Sequence, residues 1–198
     1  MEQPHRSSPA LEFAMAITHD PLTGRLVRLR ELRESDLPRL TAWWREPGLA
    51  IQQVTGPVHP QPDGRLADMF RAWSQNTGTD LGLSVETLDS EDLAGHVTLY
   101  GATPKDRCAT LAIIIGPPHQ DRGLGTDVLR TTIRYGFEEL GLHRIELTVN
   151  GYNTRALAAY RRAGFTEEGR RREAVFRAGS WHDQVQMGVL STEWREDG

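Results

Sequence analysis

The segment from Cys108 to Gly141 constrains the fold more than any other part of the chain. An apolar run starts at Cys108 and closes on Ile113-Ile114-Ile115, and consecutive β-branched residues favour a strand buried on both faces. Gly116-Pro117-Pro118 ends it, because proline cannot donate to a ladder. Leu124, Val128, Leu129, Ile133, Phe137 and Leu140 then recur at helical spacing, and Gly141 closes the helix. The strand meets the helix through Gln120-Asp121-Arg122-Gly123-Leu124-Gly125. A helix start presents unpaired N–H groups and a positive dipole end. Gly123 and Gly125 let a ligand approach that backbone, and Arg122 can add charge-assisted bonds. The N–H groups of about Arg122 to Thr126 therefore suit a pyrophosphate. Taken alone, the same turn also fits a tight connection that binds nothing. No Lys-Ser/Thr follows the second glycine, which excludes a Walker loop. The glycine spacing is short and lacks a third member, which excludes the dinucleotide fingerprint.

The remaining segments supply partners for this unit. Residues 1–23 show little periodicity and are expected to form a loose arm, with one domain over 24–194. Arg25 to Arg30 alternates as a first strand. Ser35-Asp36 opens a helix carrying Leu37, Leu40, Trp43 and Trp44, which Pro47-Gly48 is expected to stop. A loop follows over Gly56 to Pro62, then a helix around Asp63 to Trp73. Leu81 to Thr87 and Leu93 to Tyr100 read as a hairpin about the turn Asp89-Ser90-Glu91-Asp92. His143 to Val149 is a further strand, and Asn153 caps a short helix that ends at Ala163-Gly164. Phe165 to Arg172 and Gln184 to Leu190 close the sheet.

Composition narrows the function classes. The chain has 198 residues, 38% of them hydrophobic and 25% charged, which fits one domain with a real core. A net charge of −4 argues against a nucleic-acid partner and suits a cationic amine. The single cysteine, Cys108, cannot form an internal disulfide and reads as structural. No apolar run is long enough to span a bilayer, and Leu11 to Ile17 fails as a signal peptide, so the expected location is cytoplasmic without membrane contact.

Downstream of the glycine turn stands Asn153-Thr154-Arg155-Ala156-Leu157-Ala158-Ala159-Tyr160-Arg161-Arg162-Ala163-Gly164-Phe165. Together with Gln120-x-x-Gly-x-Gly it resembles the GCN5-related N-acetyltransferase (GNAT) superfamily. Leu142-His143-Arg144-Ile145-Glu146-Leu147, Glu168-Gly169 and Glu173 to Met187 resemble the branch that acetylates ribosomal-protein amino termini and spermidine. The resemblance covers about residues 25–194 and is strongest from 108 onward. It implies an α/β fold, with a mixed, mostly antiparallel sheet of six or seven strands, splayed at the central strand and flanked by about four helices. It also implies acetyl-CoA as cosubstrate, no metal, and direct transfer to a primary amine on a protein amino terminus, a polyamine or a small metabolite or antibiotic. An inert acyl-CoA-binding module is the alternative, and a homodimer is left open.

The resemblance also assigns residues. Backbone groups of Ile113, Ile114 and Ile115 meet the pantetheine arm, and one N–H there polarises the thioester carbonyl. Gln120, Asp121, Arg122, Gly123, Leu124, Gly125 and Thr126 hold the pyrophosphate. Asn153 and Ala156 contact the arm, and Tyr160 protonates the departing thiolate. Where relatives carry a glutamate base this chain has Thr110 and Thr148, and threonine cannot serve as one. Glu146, on the strand face of Thr148, is the first substitute candidate, and His96 the second. Asp36, Glu46 and Asp63 could attract a cationic acceptor, and Trp43, Trp44 and Trp73 either pack or wall its site. One of Arg161, Arg162, Arg170, Arg171 and Arg172 could meet the 3′-phosphate of coenzyme A.

Overall fold

The computed structural model describes residues 20–53 and 56–196. Most of the expected arm therefore lies outside the described residues. Its last part does not: Leu22 takes the N–H of Leu29 on its carbonyl at 2.8 Å, and Arg134 donates to Thr23 O at 2.8 Å. Residues 20–23 thus belong to the folded body.

The chain forms a seven-stranded sheet in the order β1-β2-β3-β4-β5-β7-β6. These strands are β1 (Val27–Arg30), β2 (Leu81–Thr87), β3 (Leu93–Tyr100), β4 (Cys108–Ile115), β5 (Arg144–Asn150), β6 (Thr166–Arg177) and β7 (Ser180–Leu190). All neighbours are antiparallel except β4 and β5, which are parallel because a helix crosses between them. Five α-helices are present among the described residues: α1 (Leu37–Arg45), α2 (Pro47–Gln53), α3 (Asp63–Trp73), α4 (Leu124–Glu138) and α5 (Thr154–Ala163).

Two apolar clusters cover the two faces of the sheet. On one face Leu124, Val128, Leu129 and Ile133 of α4 and Leu157 of α5 pack on Val97, Leu99, Leu111, Ile145 and Leu147. Gly136 lets α4 lie close to the strands, since a Cβ there would come within 2.9 Å of Ile145 Cδ1. On the other face Leu40, Trp43, Leu49 and Phe70 pack on Leu93 and Ile114. Ile114 thus faces one cluster, while Ile113 and Ile115 lean on the other, as a strand apolar on both faces requires.

Two carboxylates tie the first strand down. Asp127, in the first turn of α4, accepts from the N–H groups of Arg25 (3.1 Å), Leu26 (2.7 Å) and Val27 (3.1 Å). Asp36 accepts two bonds from Arg30 (2.8 and 3.1 Å) and one from Ser84 Oγ (2.8 Å), while Glu86 takes Arg30 Nε at 2.6 Å. Burial pushes Asp36 up, but the bonds from Arg30, Arg33 N–H and Ser84 outweigh it and hold its carboxyl below the usual range. Asp36 is therefore a buried structural acid and not an attractor for an acceptor.

Candidate active site

β4 and β5 pair only over Cys108–Thr110 and Arg144–Glu146. Beyond Thr110 they splay, and a cleft of about 270 Å³ occupies the divergence. Its walls come from α2 (Leu49, Gln52, Gln53), β4 (Thr110 to Ile113 and Ile115), β5 (Thr148, Val149), the loop from His119 to Thr126, and α5. A neighbouring strand is missing along β4 here, so its outward backbone groups have no ladder partners.

The loop is built to meet an anion. Asp121 and Gly123 sit in the left-handed region, at φ 57° and 81°. Among the described residues the N–H groups of 121–125 have no acceptor. Thr126 N–H differs from expectation: it already donates to Gly123 O at 3.1 Å, which moves the free donors one residue back. Gly123 needs glycine for its own conformation. Gly125 does not: a Cβ there would meet only Ile115 Cγ1, at 3.7 Å, an ordinary contact. The protein itself thus has room for a side chain at 125, so its own packing does not require glycine there. Five consecutive free donors at a helix start fit a pyrophosphate.

Side chains around the loop are engaged in ways the sequence does not reveal. Gln120 Nε2 donates to Ile115 O at 2.9 Å, and Gln120 Oε1 accepts from Arg155. Arg122 pairs with Asp89 on the β2–β3 turn at 3.1 Å. Arg161 and Arg170 pair with Glu167, and Arg171 with Gln184. Arg162 lines the cleft, and no partner for its guanidinium occurs among the described residues. His119, unremarked in the sequence, is buried on the cleft wall edge-on to Trp43. Burial and Arg122 lower its pKa, and its Nδ1 has no partner.

On the opposite wall, Asn153 Oδ1 caps α5 by accepting from Ala156 N–H at 3.1 Å. Asn153, Ala156 and Tyr160 follow one another along the cleft. Tyr160 is buried with its ring against Phe165, and no hydrogen bond to its hydroxyl occurs among the described residues. Burial pushes its pKa up to about 12, so the phenol keeps its proton at neutral pH.

Thr110 and Thr148 both line the cleft, and Asp121 is its one carboxylate among the described residues. Glu146 is not on the wall: its carboxylate takes Arg144 Nε at 3.0 Å, and Arg144 is clamped in turn by Glu168 at 2.6 Å. The geometry thus makes Glu146 a surface ion-pair partner and separates it from the base role expected of it. His96 is also set apart. Its Nε2 lies 2.8 Å from Ser74 Oγ, its ring is edge-on to Phe70, and burial lowers its pKa to about 4. Trp44, Phe70 and Trp73 form an edge-to-face cluster with centroids 5.4–6.0 Å apart, so packing is their first task. Glu46 lies off the cleft wall. Among the described residues no three His, Cys, Asp or Glu side chains gather as metal ligands, and no helix is long and apolar enough to cross a membrane.

Known proteins share this fold. A model of the acetyltransferase (GNAT) domain matches residues 26–166. A putative ribosomal N-acetyltransferase of Bacillus subtilis is 30% identical over 167 residues, covering 84% of this chain and 86% of the relative. The spermidine N(1)-acetyltransferase of Vibrio cholerae is 34% identical over 104 residues, which span 52% of this chain and 60% of that one. The crystal structure of a spermidine N-acetyltransferase from Vibrio cholerae in complex with CoA and spermine superposes with a TM-score of 0.74 at 26% identity, over 84% of this chain and 96% of that one. An acetyltransferase from Bacillus anthracis gives the same score at 16% identity, a likeness of fold. The chain therefore belongs to the GNAT superfamily and is an acetyl-CoA-dependent N-acetyltransferase.

Proposed function

We propose that the enzyme acetylates an amine of low basicity, of which the α-amino group of a peptide or protein is the type, and that it does so in the cytoplasm. The observation that carries this reading is the wall around the divergence of β4 and β5. Thr110 and Thr148 stand there, and the one carboxylate of the cleft belongs to the loop. Neither threonine can strip a proton from an ammonium, and His119, the one histidine of the cleft among the described residues, has its pKa lowered by burial and Arg122, which weakens it as a base, so an acceptor that arrives neutral is favoured. At pH 7 an α-amine is neutral in roughly one molecule in ten, an alkylamine in roughly one in 2,500. The wall thus favours the α-amine over a polyamine by physical chemistry alone. The naming of the Bacillus subtilis relative agrees with this, and that of the spermidine relatives with the alternative.

The roles of the chain's own residues follow. The free N–H groups of 121–125 hold the pyrophosphate of acetyl-CoA, and Arg162 its 3′-phosphate. Acetyl-CoA supplies an activated acyl group, so no covalent enzyme intermediate is needed. Ile113 N–H, on the open side of β4, stabilises negative charge on the acyl oxygen. Asn153 Nδ2, left over from capping, orients the arm. Tyr160 donates its proton to the leaving sulfur and is reprotonated through solvent by the proton that the acylated nitrogen loses, so that amine and thioester become amide and free thiol. Cys108 has a raised pKa from burial and Glu146, and it takes no part.

Release of free thiol from acetyl-CoA tests the reading against a short N-terminal peptide, spermidine and an aminosugar. The peptide should give the highest kcat/KM at pH 7. Preference for spermidine would move the acceptor to the polyamine class. No thiol from any amine, with CoA still bound, would reduce the protein to a donor-binding module.

A further inference from the structure

Strand alternation sends the backbone groups of Leu111, Ile113 and Ile115 away from β3, since Gly116 N–H, in the opposite phase, bonds Ala94 O at 2.9 Å. Two of these outward carbonyls are already taken, each by a glutamine carboxamide. Gln53 Nε2 donates to Ile113 O at 3.1 Å, and Gln120 Nε2 to Ile115 O at 2.9 Å. A carboxamide on the open edge of a strand imitates the amide of an incoming chain. The two glutamines differ in how firmly they are held. Gln120 is also gripped by Arg155, whereas among the described residues the Gln53 side chain has this one bond.

Gln53 ends α2, and α2 is fastened on the other side of the cleft as well. Tyr152 Oη donates to Ile51 O at 2.8 Å and itself accepts from Asn150 Nδ2, at the end of β5, at 2.9 Å. The last turn of α2 therefore straddles the divergence, tied to β4 by Gln53 and to the end of β5 by Tyr152.

We propose that Gln53 competes with the donor. Its carboxamide occupies the Ile113 carbonyl in the free protein and gives way to an amide of the pantetheine arm, so the strength of this strap sets donor affinity. The proposal rests on the family's donor, acetyl-CoA. Affinity for a ligand that needs the strap open is reduced by the fraction of molecules in which it is closed.

Calorimetric titration with CoA tests this on the full chain. Gln53→Ala and Gln53→Leu should bind CoA about twofold to tenfold more tightly than wild type, the worth of one net hydrogen bond. Damage to α2 cannot produce this result, because a disturbed site binds more weakly. Adenosine 3′,5′-bisphosphate carries the nucleotide phosphates without the arm and should bind all three proteins alike. Tyr152→Phe, which loosens the strap at its other end, should also tighten CoA binding. Unchanged or weaker CoA binding in both Gln53 variants overturns the proposal, as does equal tightening for the bisphosphate. Failure of the wild-type protein to bind CoA at all would overturn the donor assignment and the strap together.

Discussion

Thr110 of β4 and Glu146 of β5 are the last residues that these two strands hold in register. Past them β4 runs on to Ile115 and β5 to Asn150 with the cleft between. The two side chains at this fork end in different surroundings. Thr110 faces the cleft, while Glu146 turns to Arg144. A single strand position thus separates the reacting wall from the outer surface.

Gly125→Ala separates the needs of the ligand from those of the fold. The added methyl meets nothing closer than 3.7 Å. Alanine also gains about 1 kcal/mol over glycine inside a helix. Thermal denaturation should therefore show an equal or higher Tm, while CoA affinity by calorimetry drops at least about tenfold, the cost of roughly one charge-assisted bond. Undiminished affinity would remove Gly125 from the pyrophosphate site.

Tyr160→Phe keeps the ring against Phe165 and deletes only the hydroxyl. Turnover should fall by about a hundredfold, the lower end for a lost general acid, with CoA affinity almost unchanged. A matched fall in both quantities would mean that the hydroxyl holds the donor and does not act as the acid, and an unchanged rate would mean that it is idle.

With Thr110 and Thr148 unable to act as bases, kcat/KM should climb with pH and level off only at the pKa of the acceptor amine itself, so that the plateau moves when the amine is changed. Thr148→Glu puts a carboxylate on the cleft wall. It should raise the rate for an alkylamine at pH 7 by about tenfold or more. A plateau fixed near 6 or 7 for every amine would reveal a base that belongs to the protein.

His96 makes stability depend on pH in a definite window. Its folded pKa, about 4, lies below the unfolded value of 6.5, so the unfolded chain binds the extra proton first. Stability is whole above 6.5, falls as the pH drops toward 4, and stops responding to this group below that. Between pH 7 and 5 the loss should be about 2 kcal/mol by denaturant titration. His96→Gln should flatten that slope. Asp36 and Glu86, both held below the ordinary carboxylate range, add a second loss that begins only near pH 4.

Local chemistry made some elements readable and long-range chemistry hid others. The helix after Asn153 was legible to its ends, because Asn153 accepts the cap bond and Gly164 takes the left-handed exit at φ 106°. The helix Pro47–Gln53 was not, because Pro47-Gly48 reads as a stop while proline also suits a first helical turn. Gln53 was lost with it. The hairpin of β6 and β7 runs further than expected. Its turn residues Ala178 and Gly179, both at positive φ, carry polar strands with no alternation to read. The site loop and Tyr160 were legible as a family pattern, whereas the tie of Glu146 to Arg144 and the burial of Asp36 depend on which strands become neighbours.

The triple bond of Asp127 to the backbone before β1 has a reach beyond its own neighbourhood. Asp127 stands two residues after Gly125, on the helix whose first turn is proposed to receive the donor's phosphates, and it grips Arg25, Leu26 and Val27. Any tightening of that turn is passed to a strand at the far edge of the sheet. Amide hydrogens at 25–27 should thus exchange more slowly once CoA is added, and Asp127→Ala should abolish that protection. The first strand would then report on the cosubstrate from the edge of the sheet.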